Sequence, residues 1–438
     1  MGSYIPNSAA EQQAMLESLG LHTPAELFDH LPPETRIGAL EIPEGKSELE
    51  VRAQVEALSE KNRRFPVIFR GAGAYNHYIP SIVHSVTSKK EFVTAYTPYQ
   101  AEISQGVLQS IFEYQTMICQ LTGMEVSNAS VYDGAVAAAE AIVMCQERKR
   151  SRALVSGAVN PQVLTVIRTY CDSHGIPMEL LPVEDGRTAP AALAAALQAD
   201  DACVYIQQPN YFGLLEDCES LTQETHKVGA KMILVVDPIF LGLFKTPGEC
   251  GVDIAVGEGQ SLGLPMGFGG PYLGFMACTQ AMMRRLPGRI VGETHDAKGN
   301  RAYVLTLQAR EQHIRREKAT SSICSNEALC AMTASVYLAA MGPQGLADCA
   351  RQCYNNAHYA AQAVGSLPGF ALRHTGPFFQ EFVTECPVEP KALEALLEKE
   401  GILCGQIVDG GILWCVTEMN TKAQIDRLVE ILKEVATK

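Results

Sequence analysis

Among the 438 residues there is no stretch close to the roughly 20 uninterrupted apolar residues that a bilayer-spanning helix needs. No membrane span is therefore expected. The polar opening from Met1 to Gln13 also lacks the basic-then-apolar order of a secretory signal. Pro6 stands where a myristoylation pattern would need Ser or Thr, so the expected address is the cytoplasm. Cysteine is plentiful at 14 residues, but no Cys-x-x-Cys pair and no Cys/His set at zinc spacing occurs. The cysteines read as reduced packing residues, and Cys349 with Cys353, one helical turn apart, reads as a shared core face before a redox or metal pair. No metal is expected. Clustered cations are lacking too. The net charge is −14, and the main basic group, Arg315, Arg316 and Lys318, is diluted by Glu311 and Glu317, which argues against nucleic acid as a partner. A small anionic ligand remains compatible with that charge.

What the chain does have is length and 47% apolar content, enough for more than one core. Residues 1–65 are charged and punctuated by Pro24, Pro32, Pro33 and Pro43, with helices expected at Ala9–Leu19 and Ser47–Lys61, and read as a helical arm. From about Ala101, helices expected at Glu102–Thr122, Ala135–Arg150, Pro161–His174, Ala189–Ala199 and Cys218–Val228 alternate with short apolar runs. These runs are Ala153–Val155, Met178–Leu181, Cys203–Ile206, Ile233–Val236 and Ile254–Val256. Strands that alternate with helices and lack period-2 polarity indicate βαβ units around a mostly parallel sheet buried on both faces. Residues 66–325 thus form an expected large α/β domain. A helix at Asn326–Ala340 leads into residues 326–438, where helices at Pro390–Glu400 and Lys422–Thr437 flank strands at Phe379–Val383 and Ile412–Val416, a small α+β domain.

Ligands of such sheets bind beyond the carboxyl ends of the strands, and three segments there carry polar groups. Ser127 to Gly134 precedes an Ala-rich helix and puts Ser130, Asp133 and Gly134 at a helix N-terminus, either an anion site or a plain cap. Tyr205 to Gly213 ends a strand with Asn210 beside Pro209. Met232-Ile-Leu-Val-Val-Asp237 sets a carboxylate at a strand end, where it serves a ligand or braces a loop. The succession of anion-binding turn, Asn loop, strand-end Asp and Gly-rich loop is similar to the large domain of fold type I enzymes dependent on pyridoxal phosphate (PLP). In those enzymes the Asp pairs with the pyridine nitrogen and a later lysine forms the Schiff base.

That lysine is missing. After the Ile254 run, the loop Glu258-Gly-Gln-Ser-Leu-Gly-Leu-Pro-Met-Gly-Phe-Gly-Gly-Pro271 has Gln260 or Ser261 where the amine belongs, and neither side chain can condense with an aldehyde. Between Asp237 and Lys298 the sole lysine is Lys245, expected at the sheet surface.

Further segments carry a closer likeness. They are Tyr4-Ile-Pro, the loop Gly71-Ala-Gly-Ala-Tyr-Asn-His-Tyr-Ile-Pro80, the block Tyr96-Thr-Pro-Tyr-Gln-Ala-Glu-Ile-Ser-Gln-Gly106, the loop Gly259 to Pro271, and Arg315 to Cys324, in which Ser322 replaces the usual Asn. Over essentially its whole length the chain resembles the first, α-type subunits of the glycine cleavage system P-protein, glycine dehydrogenase (decarboxylating). The resemblance implies an aspartate aminotransferase-like fold and an α2β2 assembly whose β-type partner carries the lysine and PLP. It implies that the assembly decarboxylates glycine, passes the aminomethyl group to the lipoyl arm of H-protein and releases carbon dioxide. Catalytic groups are then expected from the partner, and Ser130, Asn210 and Asp237 become vestigial cofactor positions. Active sites of such dimers lie between subunits, so Tyr75, Asn76, His77, Tyr96, Tyr99, Gln100 and Glu102 are expected near the partner's cofactor, with Thr320, Ser321 and Ser322 as donors to its phosphate. The alternatives are a purely structural or regulatory subunit, or an independent PLP enzyme that uses Lys245 or a non-covalently held cofactor.

Overall fold

The apolar runs without period-2 polarity become strands of a seven-stranded sheet, four of them inner and Met178–Leu181 at one edge, in the computed structural model, which describes residues 7–38, 41–94, 97–323 and 326–437. The strands are β1 (Val126–Ser127), β2 (Arg152–Ser156), β3 (Met178–Leu181), β4 (Asp201–Gln208), β5 (Lys231–Val236), β6 (Ile254–Glu258) and β7 (Gly274–Cys278), in the order β1-β7-β6-β5-β4-β2-β3. The five from β6 to β3 are parallel, and β7 and β1 are each antiparallel to their inner neighbour. Register places Gln208 beside Val236 and Val235 beside Val256, so the carboxyl ends of β4, β5 and β6 share one edge.

Both faces of the sheet are covered. Leu234, Phe275 and Tyr337 belong to one cluster, and Ile233, Val256 and Met276 to the other, because successive side chains of a strand point to opposite faces. Helices Gly134–Met144 and Pro161–His174 pack on the second face through Ala137, Ala138, Ala141 and Ile167. Two expected helices end three or more residues early. The segment expected to reach Arg150 stops at Met144, after which Glu147 and Arg150 pair in a turn, and the expected Ala189–Ala199 helix spans Pro190–Ala196.

The chain divides into two units, Met1–Arg64 and Phe65–Lys438. In the first, helices Ala9–Ser18 and Glu48–Ser59 each begin with a capping box, Ser8 with Glu11 and Ser47 with Glu50. In the second, helix Ala328–Gly365 bends at Gly342, whose φ of 62° breaks the helix before Pro343 restarts it. Its first half and Cys349, Ala350 and Cys353 pack on the large sheet, whereas Ala357, Ala360 and Val364 enter a second core around Trp414. That core supports a three-stranded antiparallel sheet of β8 (Glu381–Glu385), β9 (Gln406–Val408) and β10 (Gly411–Cys415), in the order β8-β10-β9. The pair Val67–Ile68 runs parallel to Ile402–Leu403, which stitches the segment before the Gly-rich loop to the far end of the chain. No helix among the described residues is long and apolar enough to cross a membrane.

Candidate functional site

A cavity of about 710 Å³ opens at the carboxyl ends of β4, β5 and β6 and is closed from above by the Gly71 to Tyr75 loop and the start of β8. Asp237 lies in its wall, one residue past β5. Its Oδ1 accepts the Ile239 N–H at 2.8 Å and its Oδ2 accepts the Gln380 amide at 3.0 Å. Burial pushes this carboxyl up, against the opposing pull of His77 and these donors.

Gln260 and Ser261 line the same cavity. The Gln260 side chain is committed. Its Oε1 accepts the Tyr75 N–H at 2.9 Å, and its Nε2 donates to the carbonyls of Tyr75 and Leu264 at 3.1 and 2.8 Å. In this way the amide fastens the Gly71 to Tyr75 loop over the strand ends.

Glu258 ends β6 and is enclosed by three backbone donors, the N–H groups of Gly134, Gln260 and Leu273, at 2.9, 3.0 and 2.9 Å. Burial moves its carboxyl up to about 7, and the donors pull it back. A Cβ at Gly134 would lie 2.9 Å from the Glu258 Cβ, so the helix end can meet this carboxylate only as glycine. Asp133 caps the same helix by accepting the Val136 N–H at 2.7 Å. Opposite, Glu381 accepts the Ala72 N–H at 2.7 Å and the Tyr75 hydroxyl at 2.8 Å, with burial raising it to about 7. Gln380 keeps a buried Oε1 without a partner.

Tyr75, Asp133, Gly134, Asp237, Gln260 and Ser261 are thus brought together. Other expected residues are not. Asn210 lies outside the cavity and spends its amide within its own loops, donating to the Gly186 carbonyl and Glu216 and accepting from the Phe212 and Leu214 N–H groups. The Ser130 hydroxyl accepts from the Asn326 amide and the Glu327 N–H, so it braces the entry to the long helix and does not face an anion. The Asn76 carbonyl accepts from the Thr417 hydroxyl. His77 is buried, its Nδ1 2.8 Å from Glu418, and its imidazole is presented to no surface.

Tyr99, 52% exposed, accepts from Arg289 at 2.7 Å, and Gln100 and Glu102 are exposed beside it. Ser322 is exposed, while Thr320 and Ser321 border a small cleft beside Arg284, Arg285 and Arg310. Tyr96 and Cys324 lie outside the described residues. Lys245 is exposed and donates to Glu219 at 2.6 Å, facing solvent. Sequence reasoning missed Glu258, Gln380 and Glu381. Glu258 had a signal, a carboxylate at a strand's carboxyl end like Asp237. The other two open a strand far along the chain and had none.

The sheet order, the strand-end cavity and the covering β8 layer define a fold type I PLP-transferase architecture. Solved structures with low identity share it. A sphingosine-1-phosphate lyase of Burkholderia pseudomallei matches with a TM-score of 0.67 at 13% identity, covering 93% of this chain and 94% of that one. The cystine lyase C-DES, whose mutant was solved with glycine linked to the PLP cofactor, matches at 0.62 and 14%, covering 87% of this chain and 99% of that one.

At higher identity, the model of the glycine cleavage system P-protein family matches residues 2–432, and the chain belongs to that family. Probable glycine dehydrogenase (decarboxylating) subunit 1 of Moorella thermoacetica is 51% identical over 99% of both chains. The protein of that name from Desulfitobacterium hafniense is 46% identical over 99% of this chain and 100% of its own. An inhibitor-bound crystal structure of glycine decarboxylase (P-protein) superposes with a TM-score of 0.94 at 41% identity, covering 99% of this chain and 100% of that one.

The cofactor of that architecture needs a lysine, an acid for the ring nitrogen and an open helix N-terminus for the phosphate. Asp237 could serve as the acid. Among the described residues no lysine lines the cavity, and the helix end at Gly134 is occupied by the Glu258 carboxylate beside Asp133. A phosphate placed there would face two carboxylates and few free donors. The residues present do not fit PLP.

Proposed function

We propose that this chain is the non-lysine subunit of a two-chain glycine decarboxylase, in which a homologous β-type partner carries PLP and its lysine. The assembly decarboxylates glycine, hands the aminomethyl group to the lipoyl arm of H-protein and releases carbon dioxide; it is α2β2 and works in the cytoplasm. The observation that carries this reading is Gln260. Gln260 or Ser261 takes the lysine's position, the Gln260 amide is spent on tying down the Gly71 to Tyr75 loop, and Glu258 occupies the helix end at Gly134 where a phosphate would sit. Lys245, turned outward onto Glu219, offers no substitute. Surface loops carrying Tyr99, Gln100, Glu102 and Ser322 would complete the partner's pocket, since they are exposed.

The test is co-expression with a β-type chain, followed by exchange of labelled carbon dioxide into glycine. Activity is expected from the pair and none from this chain alone, which stays colourless after addition of PLP. A β chain equally active alone would favour a purely structural or regulatory subunit. A coloured adduct on this chain would overturn the assignment of the cofactor to the partner.

A further inference from the structure

Away from the cavity, His77, Cys349, Cys353 and Glu418 bring four ligating groups together, their donor atoms all within 4.8 Å of one another. We propose that these side chains form a structural zinc site. The two cysteines lie one turn apart on helix Ala328–Gly365, so both sulfurs leave the same helix face. His77 arrives from the Gly-rich loop and Glu418 from the segment after β10, so three distant parts of the chain converge there. Cys353 is fully buried, and Cys349 and His77 are 6% and 7% exposed.

The dimensions suit an ion. His77 Nδ1 lies 2.8 Å and Cys353 Sγ 3.2 Å from the same Glu418 oxygen, Oε2. Ligands about 2.0–2.3 Å from a tetrahedral zinc stand roughly 3.3–3.8 Å from each other, so the cluster fits the ion with side-chain shifts of under about an ångström. The chemistry selects zinc as well. Two sulfurs with an imidazole and one carboxylate are too soft a set for calcium or magnesium, which take oxygen.

His77 meets the cluster through Nδ1, and its Nε2 is buried without a hydrogen-bond partner, so no other hydrogen bond fixes the ring against the small shift that an ion requires. Binding would release the thiol protons of Cys349 and Cys353 to solvent and involve no electron transfer. It would also fix the loop that covers the cavity. The Tyr78 N–H already donates to Glu418 at 2.7 Å, and the Thr417 hydroxyl donates to the Asn76 carbonyl at 2.7 Å.

The full chain, purified without a polyhistidine tag from zinc-supplemented medium and passed over a weak chelator, tests the proposal by elemental analysis and X-ray absorption at the zinc edge. About one zinc per chain is expected, with two sulfur neighbours at about 2.3 Å and nitrogen or oxygen at about 2.0 Å. The double variant Cys349→Ser, Cys353→Ser should retain at least about tenfold less zinc. Wild-type chain with zinc at blank level, a coordination shell without sulfur, or a double variant that retains as much zinc as wild type would each overturn the proposal. Should the double variant not fold, the absorption spectrum of the wild-type chain decides alone.

Discussion

Replacing Gln260 by Ala removes three hydrogen bonds at once, two to the Tyr75 peptide and one to the Leu264 carbonyl. Each such bond contributes about 1 kcal/mol net, and a donor or acceptor left buried and unpaired costs about 1–3 kcal/mol. Tyr75 borders an open cavity, so water can replace part of what is lost. Three bonds come to about 3 kcal/mol, and with water replacing about one of them the expected loss is about 2 kcal/mol. It should fall on the Gly71 to Tyr75 loop and leave the sheet unaffected. Local opening should become about 30-fold more frequent, following a factor of ten per 1.4 kcal/mol, and hydrogen exchange of the Tyr75 amide should accelerate to match.

The near-isosteric Gln260→Glu keeps the acceptor for the Tyr75 N–H but turns two donations into contacts between a carboxylate and carbonyl oxygens. It should loosen the loop at least as much as Ala. Exchange within about twofold of wild type in both variants would refute the reasoning. Loosening in Ala alone would assign the effect to lost volume.

Three other expectations follow from the same geometry. Glu140, Glu216, Glu258 and Glu381 each have a carboxyl pushed up to about 7, first by burial, so the folded chain holds more protons than the unfolded chain between about pH 4.5 and 7. Stability should therefore fall as pH rises through that window, and Glu381→Gln should flatten the slope of the thermal midpoint; an unchanged slope removes Glu381 from the account. Asp237→Asn keeps the Oδ1 acceptor for Ile239, so turnover of the assembled pair in the exchange assay should stay within about threefold, whereas a loss beyond about 100-fold would make this cavity catalytic. Tyr99→Phe and Glu102→Gln should each lower turnover about tenfold with assembly intact by gel filtration, as expected of side chains that position a partner's site. Full turnover in both would remove this loop from the chemistry.

By itself the sequence determined the class of fold and the nature of the deficit. Short Val- and Ile-rich runs between helices require a sheet covered on both faces, because a strand with no polar side cannot face water. The absence of an amine after Ile254 is equally local, since no packing turns Gln260 or Ser261 into a lysine. What reads from neighbouring residues ended where pairing ran against chain order. The antiparallel direction of β7 and the union of residues 67–68 with 402–403 depend on contacts across the whole chain. Asn210 and Ser130 looked like ligands from sequence because polar residues at strand ends and helix starts serve either a ligand or the backbone, and only tertiary structure shows which groups point where. Glu381 beneath Tyr75, and Glu418 beside His77 over the Cys349 and Cys353 face, became visible only once the fold had closed. Burial and partnership give these groups their chemistry, and both arise from residues hundreds of positions apart.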